Sequence, residues 1–374
     1  TVSQHHIVMI IDGLPGGGAE KVVITLSQGL LALGHRVSLL SLRDVCNYTL
    51  PEGIDYRVIA DTSRRPWRKL TELSRRAAQL DKAFRQLVLQ QGSADLVISH
   101  LHKTDRIVRR SKAIDPRKTW FCLHGVFSGS YLGHRTGFSR WLKAKKIHRV
   151  YQQRNIIGVS RYVVDDLCRH FSVTPANQQV IANPFDFDTI RALATEPVTL
   201  AEKSFLLHVG RFHEVKRHDR LLKAYALSGL QWPLVLLGEG STERTEQLKQ
   251  LARELNISER VIFEGFRSNP YSWIKNARML ILSSDSEGFG NVLVEALICD
   301  TQVVSTRCPG GPSEILTGTL AAGLADLTAE SLAATMQQTE HHPVTIDPQM
   351  VSNYQLDTIC RHYLSLITTE NPGN

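Results

Sequence analysis

Short apolar runs alternate with amphipathic stretches along this chain, and the whole alternation occurs twice. Residues 6–11 read as a buried strand, followed by a glycine run and a helix over 19–33 that Gly34 stops. Further strands are expected at 36–42, 54–59, 94–99, 119–123, 155–159 and 179–182, with basic, polar helices over 67–91 and 138–153. The pattern restarts at 204–209. It continues with strands at 234–237, 261–263, 279–282 and 302–305 and with helices over 217–228 and 242–255. Short strands alternating with helices of about 10 to 15 residues imply right-handed βαβ units and a parallel sheet. Two such sets, broken at about 183–203, predict an α/β protein of two Rossmann-like, doubly wound domains. The expected divisions are 1–185, 186–347 and a last segment, 348–374, whose helix over 348–367 crosses back onto the first domain.

The length of 374 residues agrees, at roughly 150 residues per domain. Hydrophobic residues make up 42% and charged residues 21%, an ordinary globular balance that argues against disorder. The net charge of +8 favours an anionic partner: a phosphorylated substrate, an anionic membrane surface or nucleic acid. No apolar run reaches the roughly 18 to 20 residues that span a bilayer, and the start lacks a basic leader, so a cytoplasmic protein is expected. The six cysteines are scattered, with no C-x-x-C spacing, which suits reduced thiols.

Open α/β sheets bind ligands beyond the carboxyl ends of their strands, so a cleft between two such edges is the expected site. Three segments stand there. Gly13-Leu14-Pro15-Gly16-Gly17-Gly18-Ala19-Glu20 joins the first strand to its helix. Glycines such as Gly17 and Gly18 admit a ligand close to the backbone, and the helix end offers N–H groups to an anion. The spacing fits neither the dinucleotide nor the P-loop fingerprint, and a plain tight turn also accounts for it. Gly210-Arg211-Phe212-His213-Glu214-Val215-Lys216-Arg217 follows another strand; Arg211 and Lys216 suit a diphosphate, although a solvated basic loop reads the same way. The third segment runs from Asp285 through Glu287, Gly288, Phe289, Gly290 and Asn291 to Glu295. Its helix end suits a phosphate, and Glu295, about two turns in, suits a pair of sugar hydroxyls. Acidic capping is the plainer alternative.

Together these segments resemble glycosyltransferase family four, whose Gly-Gly-Ala-Glu loop, Gly-Arg…Lys segment and Glu-x7-Glu motif occur here in order. Gly158-Val159-Ser160, Asn183-Pro184 and Gly238-Glu239-Gly240 match smaller family turns. The resemblance implies a GT-B fold and retaining sugar transfer without a metal or other cofactor. The donor would be a nucleotide sugar, most often uridine diphosphate, held mainly by the second domain; the acceptor would lie mainly on the first. Arg211 and Lys216 would then contact the donor diphosphate, Glu295 the ribose, and Glu287 and His124 the transferred sugar. Gly17, Gly18, Glu239, Phe289, Gly290 and Asn291 would line the donor site. The leaving phosphate, rather than a second carboxylate, would help deprotonate the acceptor. The expected product is a hexose or N-acetylhexosamine added to a lipopolysaccharide core or another lipid-linked glycan.

Asp186-Phe187-Asp188 has the spacing of a metal motif but stands in the interdomain connection. His100-Leu101-His102 suggests zinc, yet no further ligand lies at suitable spacing, so a cleft loop is expected. Pro309-Gly310-Gly311-Pro312-Ser313-Glu314 resembles a late family loop. Basic residues from Arg64 to Arg76 and from Arg135 to Arg149 are interleaved with Trp67, Tyr131, Phe138 and Trp141. That mixture suits docking on anionic lipid headgroups at the inner face of a bacterial membrane. A nucleotide-sugar epimerase on the same fold is the alternative enzyme. A phosphorylase would need a longer chain, and a nucleic-acid-binding protein is suggested by charge alone.

Overall fold

The computed structural model describes residues 3–15, 17–200 and 204–367. Gly16 of the glycine loop and Lys203 at the expected domain break lie outside the described residues. The chain divides into two compact units: one runs through Pro184 and resumes at Leu356, the other spans Phe185–Gln355.

The first unit holds a seven-stranded sheet. Its strands are β1 (His6–Ile11), β2 (Arg36–Ser41), β3 (Asp55–Val58), β4 (Leu96–His100), β5 (Thr119–Leu123), β6 (Asn155–Gly158) and β7 (Asn177–Val180). They lie in the order β3-β2-β1-β4-β5-β6-β7, and every pair is parallel. β1 reads HIVMII and is buried along its full length, as a strand covered on both faces should be. The edge strand β7 starts two residues before its expected position. Its Asn177, Gln178 and Gln179 are exposed, so an apolar-run criterion misses them.

The second unit holds six parallel strands: β8 (Leu206–Val209), β9 (Leu234–Leu237), β10 (Val261–Gly265), β11 (Met279–Leu282), β12 (Gln302–Thr306) and β13 (Leu324–Ala325). Their order is β10-β9-β8-β11-β12-β13. Leu221, Leu222 and Tyr225 of the helix His218–Ser228 and Leu332 and Met336 of the helix Ala329–His341 pack one core with Leu206, Leu236 and Ile281. The strand order reverses between β1 and β4 in the first sheet and between β8 and β11 in the second. Loops leaving such a pair depart to opposite faces and open a crevice, so the sequences after β1, β4, β8 and β11 are where ligands belong.

Four local expectations are corrected. The basic helix begins at Glu72, because residues 65–70 close i→i+3 turns instead (Arg68 N–H to Arg65 O, Leu70 N–H to Trp67 O). The interdomain break contains a helix, Phe187–Ala194, capped by Asp186, whose carboxylate accepts from Thr189 N–H (3.2 Å) and Thr189 Oγ1–H (2.8 Å). The segment after His100 is helical over His102–Val108 rather than a loop. The last segment is two pieces: a 3-10 helix, Pro348–Tyr354, within the second unit, and an α-helix, Leu356–Leu364, within the first. Gly29 admits this last helix, since a Cβ there would overlap Cys360 and Leu356.

Candidate functional site

In the second unit, the loops after β8 and β11 are tied together residue by residue. Asp285 N–H donates to Val215 O (2.9 Å), and Ser283 Oγ–H to Lys216 O (2.8 Å). The Asp285 carboxylate receives Arg217 (3.2 Å) and the buried Arg220 (2.8 Å); Arg220 also donates to Ser283 O (2.9 Å). Arg217 adopts a left-handed backbone (φ 52°) at the start of its helix and also pairs with Asp219 (3.0 Å). None of this brace was expected from the sequence. Its signal is faint: polar Ser283, Ser284 and Asp285 directly follow the apolar run of β11.

The brace positions the predicted residues. Lys216 Nζ donates to Glu287 Oε1 (2.6 Å), which also accepts from Ser284 Oγ–H (2.6 Å). Ser284 is itself fixed by Thr306 Oγ1–H, which donates to its carbonyl (2.6 Å). Glu287 Oε2 has no protein partner among the described residues, and an ammonium keeps donors beyond the one given to Glu287. Arg211 is exposed and forms no ion pair among the described residues. Glu287 N–H donates to Pro309 O (3.0 Å), and Gly311 N–H to Glu287 O (3.0 Å). A side chain at Gly310 (φ +123°) would overlap the Glu287 carbonyl, and one at Gly311 would overlap Phe289 O. The late glycine loop is thus the backbone support of Glu287.

Gly290 (φ +101°) opens the helix Asn291–Ile298, and Asn291 is its first residue. Glu295 is buried on this helix, one turn from its start rather than the two expected. Phe289 is buried between Phe185 (6.1 Å) and Tyr354 (5.7 Å), so its ring holds the turn and only its backbone is left for a ligand. Glu239 is exposed after β9; its carbonyl accepts from Phe212 N–H (3.0 Å). Gly238 (φ +129°) allows that approach, because a Cβ there would overlap Gly210 O. Arg211, Lys216, Glu239, Glu287, Gly290, Asn291 and Glu295 therefore all stand on loops or helix starts at one edge of one sheet. Beneath them, His208 and His218 stack edge to face at 4.5 Å, both fully buried, with no partner on any of the four ring nitrogens. Burial holds His218 down to about 4 and His208 well below its usual value.

The remaining predicted residues belong to the first unit. Gly17 caps the helix Gly18–Ala32, and its carbonyl accepts from Tyr48 OH (2.8 Å). The Glu20 carboxylate fills the space a Gly17 side chain would need. His124 follows β5 and is partly exposed; its Nε2 lies 3.0 Å from Nδ1 of the buried His100 at the end of β4. Burial lowers His124 to about 4, holds His100 well below its usual value, and pushes the neighbouring Cys122 thiol up to about 12. His100, Cys122 and His124 bring ligand-type atoms within 4.8 Å of one another. The set does not fit a metal centre. A ligating imidazole normally gives its second nitrogen to a partner, His100 Nε2 has none, and burial favours the protonated thiol. It is a neutral hydrogen-bonded pair beside a core cysteine.

The first unit also carries the mixed basic and aromatic surface. On the helix Gly137–Tyr151, Phe138 (72% exposed) stacks on Trp141 (51% exposed) at 5.7 Å, and Lys145 lies over Trp141 at 4.7 Å. Trp67 and Leu70 are exposed as well. Among the described residues no helix is long and apolar enough to cross a membrane.

Comparison with known proteins agrees with this architecture. Residues 16–189 match the family described as Glycosyltransferase Family 4, and residues 194–355 match Glycosyl transferases group 1. The chain is 30% identical over 309 residues, 82% of each protein, to a Campylobacter jejuni enzyme. That enzyme is named N-acetylgalactosamine-N,N'-diacetylbacillosaminyl-diphospho-undecaprenol 4-alpha-N-acetylgalactosaminyltransferase. It is 32% identical over 143 residues to the lipopolysaccharide 1,6-galactosyltransferase of Salmonella typhimurium, 37% of this chain and 38% of that one. The crystal structure of Anabaena HepE in complex with UDP superposes with a TM-score of 0.76 at 20% identity, covering 97% of this chain and 99% of HepE. The chain therefore belongs to the family-four glycosyltransferases of GT-B fold, and is a hexosyltransferase of the glycan and lipopolysaccharide biosynthesis type.

Proposed function

We propose that this enzyme transfers a hexose or N-acetylhexosamine from a uridine-diphosphate sugar to a lipid-linked glycan or lipopolysaccharide acceptor, with retention and without a metal. The observation that carries the reading is the edge after β8 and β11. There Lys216 is held beside Glu287, and Arg211 is exposed with no ion-pair partner among the described residues. Loss of a nucleoside diphosphate builds charge on the β-phosphate, and fixed cations stabilise that charge without reorganising. In this reading Arg211 and Lys216 take the diphosphate, and the start of the helix Asn291–Ile298 presents its N–H groups to it. Glu295 binds the ribose. Glu287 Oε2 accepts from the transferred sugar, which His124 also contacts. Gly17, Gly18, Glu239 and the backbone of Phe289 line the donor. The acceptor lies on the first unit, and no second carboxylate serves as a nucleophile. The UDP in HepE and the diphospho-undecaprenol in the Campylobacter enzyme's name support the donor and acceptor classes. The surface of Trp67, Phe138, Trp141 and the neighbouring lysines and arginines docks the enzyme on an anionic inner-membrane face.

A saturation-transfer screen of nucleotide sugars is the direct test. Selective signal on a UDP-hexose or UDP-N-acetylhexosamine is expected, with turnover unchanged by EDTA and an α-linked product from an α-linked donor. Binding of no UDP-sugar, or activity that EDTA abolishes and Mn²⁺ restores, overturns the reading.

A further inference from the structure

The contact between His100 and His124 fixes more than a distance. A single proton lies between His100 Nδ1 and His124 Nε2, 3.0 Å apart, because burial keeps both rings neutral. Two arrangements are available. If His124 donates from Nε2, the neutral His100 must carry its own proton on Nε2. That atom is buried and has no hydrogen-bond partner, so the arrangement leaves an orphaned N–H. If His100 donates from Nδ1, its Nε2 is a bare acceptor, and the proton of His124 is forced onto Nδ1. Buried N–H groups without a partner are rarer than under-satisfied acceptors, so the second arrangement wins. Cys122, opposite His100 across the β4–β5 ladder, does not change the choice: its thiol stays protonated and lies 3.7 Å from the Tyr363 hydroxyl.

We infer that His100 is a positioning residue that locks His124 in the Nδ1–H tautomer, so that His124 meets its ligand as a hydrogen-bond donor and never as a base. His124 Nδ1 has no protein partner among the described residues, so its N–H is open to an oxygen of the substrate. The inference rests on the proposed contact of His124 with the transferred sugar. It narrows that contact to a sugar oxygen accepting from His124, and it leaves deprotonation of the acceptor to another group.

The test is a long-range proton–nitrogen correlation spectrum of the full chain labelled with ¹⁵N-histidine, with His124 assigned by its loss in His124→Gln. A protonated Nδ1 and a bare Nε2 on His124 are expected. A protonated Nε2 in the unaltered protein overturns the inference, whether or not any variant folds. His100→Phe should release His124 to a mixture of tautomers and lower kcat about tenfold, the scale of one neutral hydrogen bond, with little change in donor KM. His100→Gln, which can still donate to His124, should restore most of that loss. An unchanged His124 tautomer in His100→Phe also overturns the lock. If the tautomer is as expected but His124→Ala turns over normally, the sugar contact falls, and the tautomer assignment stands.

Discussion

The loops after β8 and β11 form a charged edge, whereas two neutral imidazoles meet at the ends of β4 and β5. On the second unit Arg217, Arg220 and Asp285 brace one another and set Lys216 against Glu287. On the first unit His100 and His124 lie together as uncharged rings over a protonated thiol. The difference matches the chemistry proposed for each. A leaving diphosphate needs full charges held rigidly, since stabilisation comes from groups that do not reorganise. A sugar oxygen can be held by an oriented neutral donor, whose hydrogen bond burial strengthens.

Substitutions at the charged edge should have the largest effect. Arg211→Ala and, separately, Lys216→Ala should each lower kcat/KM by on the order of 100-fold or more in a radiolabelled-sugar transfer assay, as loss of a preorganised donor does. Near-normal turnover in Arg211→Ala would remove the contrast between the two edges. Next is Gly310→Ala, which changes no charge. Its Cβ would overlap the Glu287 carbonyl at a φ of +123°, so Glu287 must shift. A loss of about 1 to 3 kcal/mol in stability is expected from denaturant titration, together with weaker donor binding. A stable variant with normal activity would show that the late glycine loop does not set Glu287.

Acid should cost stability on both units by the same sign. His124 and His218 are held at about 4 in the folded chain, against about 6.5 when unfolded. As pH falls through 6.5 the unfolded state takes up protons first. Stability is therefore fully present above about 6.5, falls between about 6.5 and 4, and levels below that. Thermal unfolding should show a fall of several degrees across that window. Around His218 stand Lys216, Arg244 and Asp219, together with His208 against its ring. His218→Phe, which also packs on Phe212, should flatten part of the slope; an unchanged slope would locate the pH response elsewhere. The smallest expected effect belongs to the exposed aromatics. Phe138→Ala with Trp141→Ala should weaken sedimentation with anionic vesicles at low salt a few-fold and leave the transfer rate to a soluble acceptor unchanged. No vesicle binding by the unaltered enzyme would end the docking proposal.

Sequence alone determined the two parallel α/β units, because buried strands such as β1 and β11 are unbroken apolar runs and their helices carry the 3.6-residue period. It also determined which loops matter, since glycines and charges directly after those runs stand out against the apolar background. Only the tertiary structure decided how the charges are used. Arg217 and Arg220 reach Asp285 across more than 60 intervening residues, and Ser284 reads in sequence as an ordinary strand-end polar residue. The same is true of the first unit. His100-Leu101-His102 reads in sequence as a cleft loop without further ligands, and the residues that meet His100 are Cys122 on the neighbouring strand and His124 just after it, 22 and 24 positions later. Hydrogen bonds and ion pairs act over about 3 Å of space and have no period along the chain. A sequence therefore shows where a polar group will surface, and the parallel ladder, by fixing which strands are neighbours, decides what it touches.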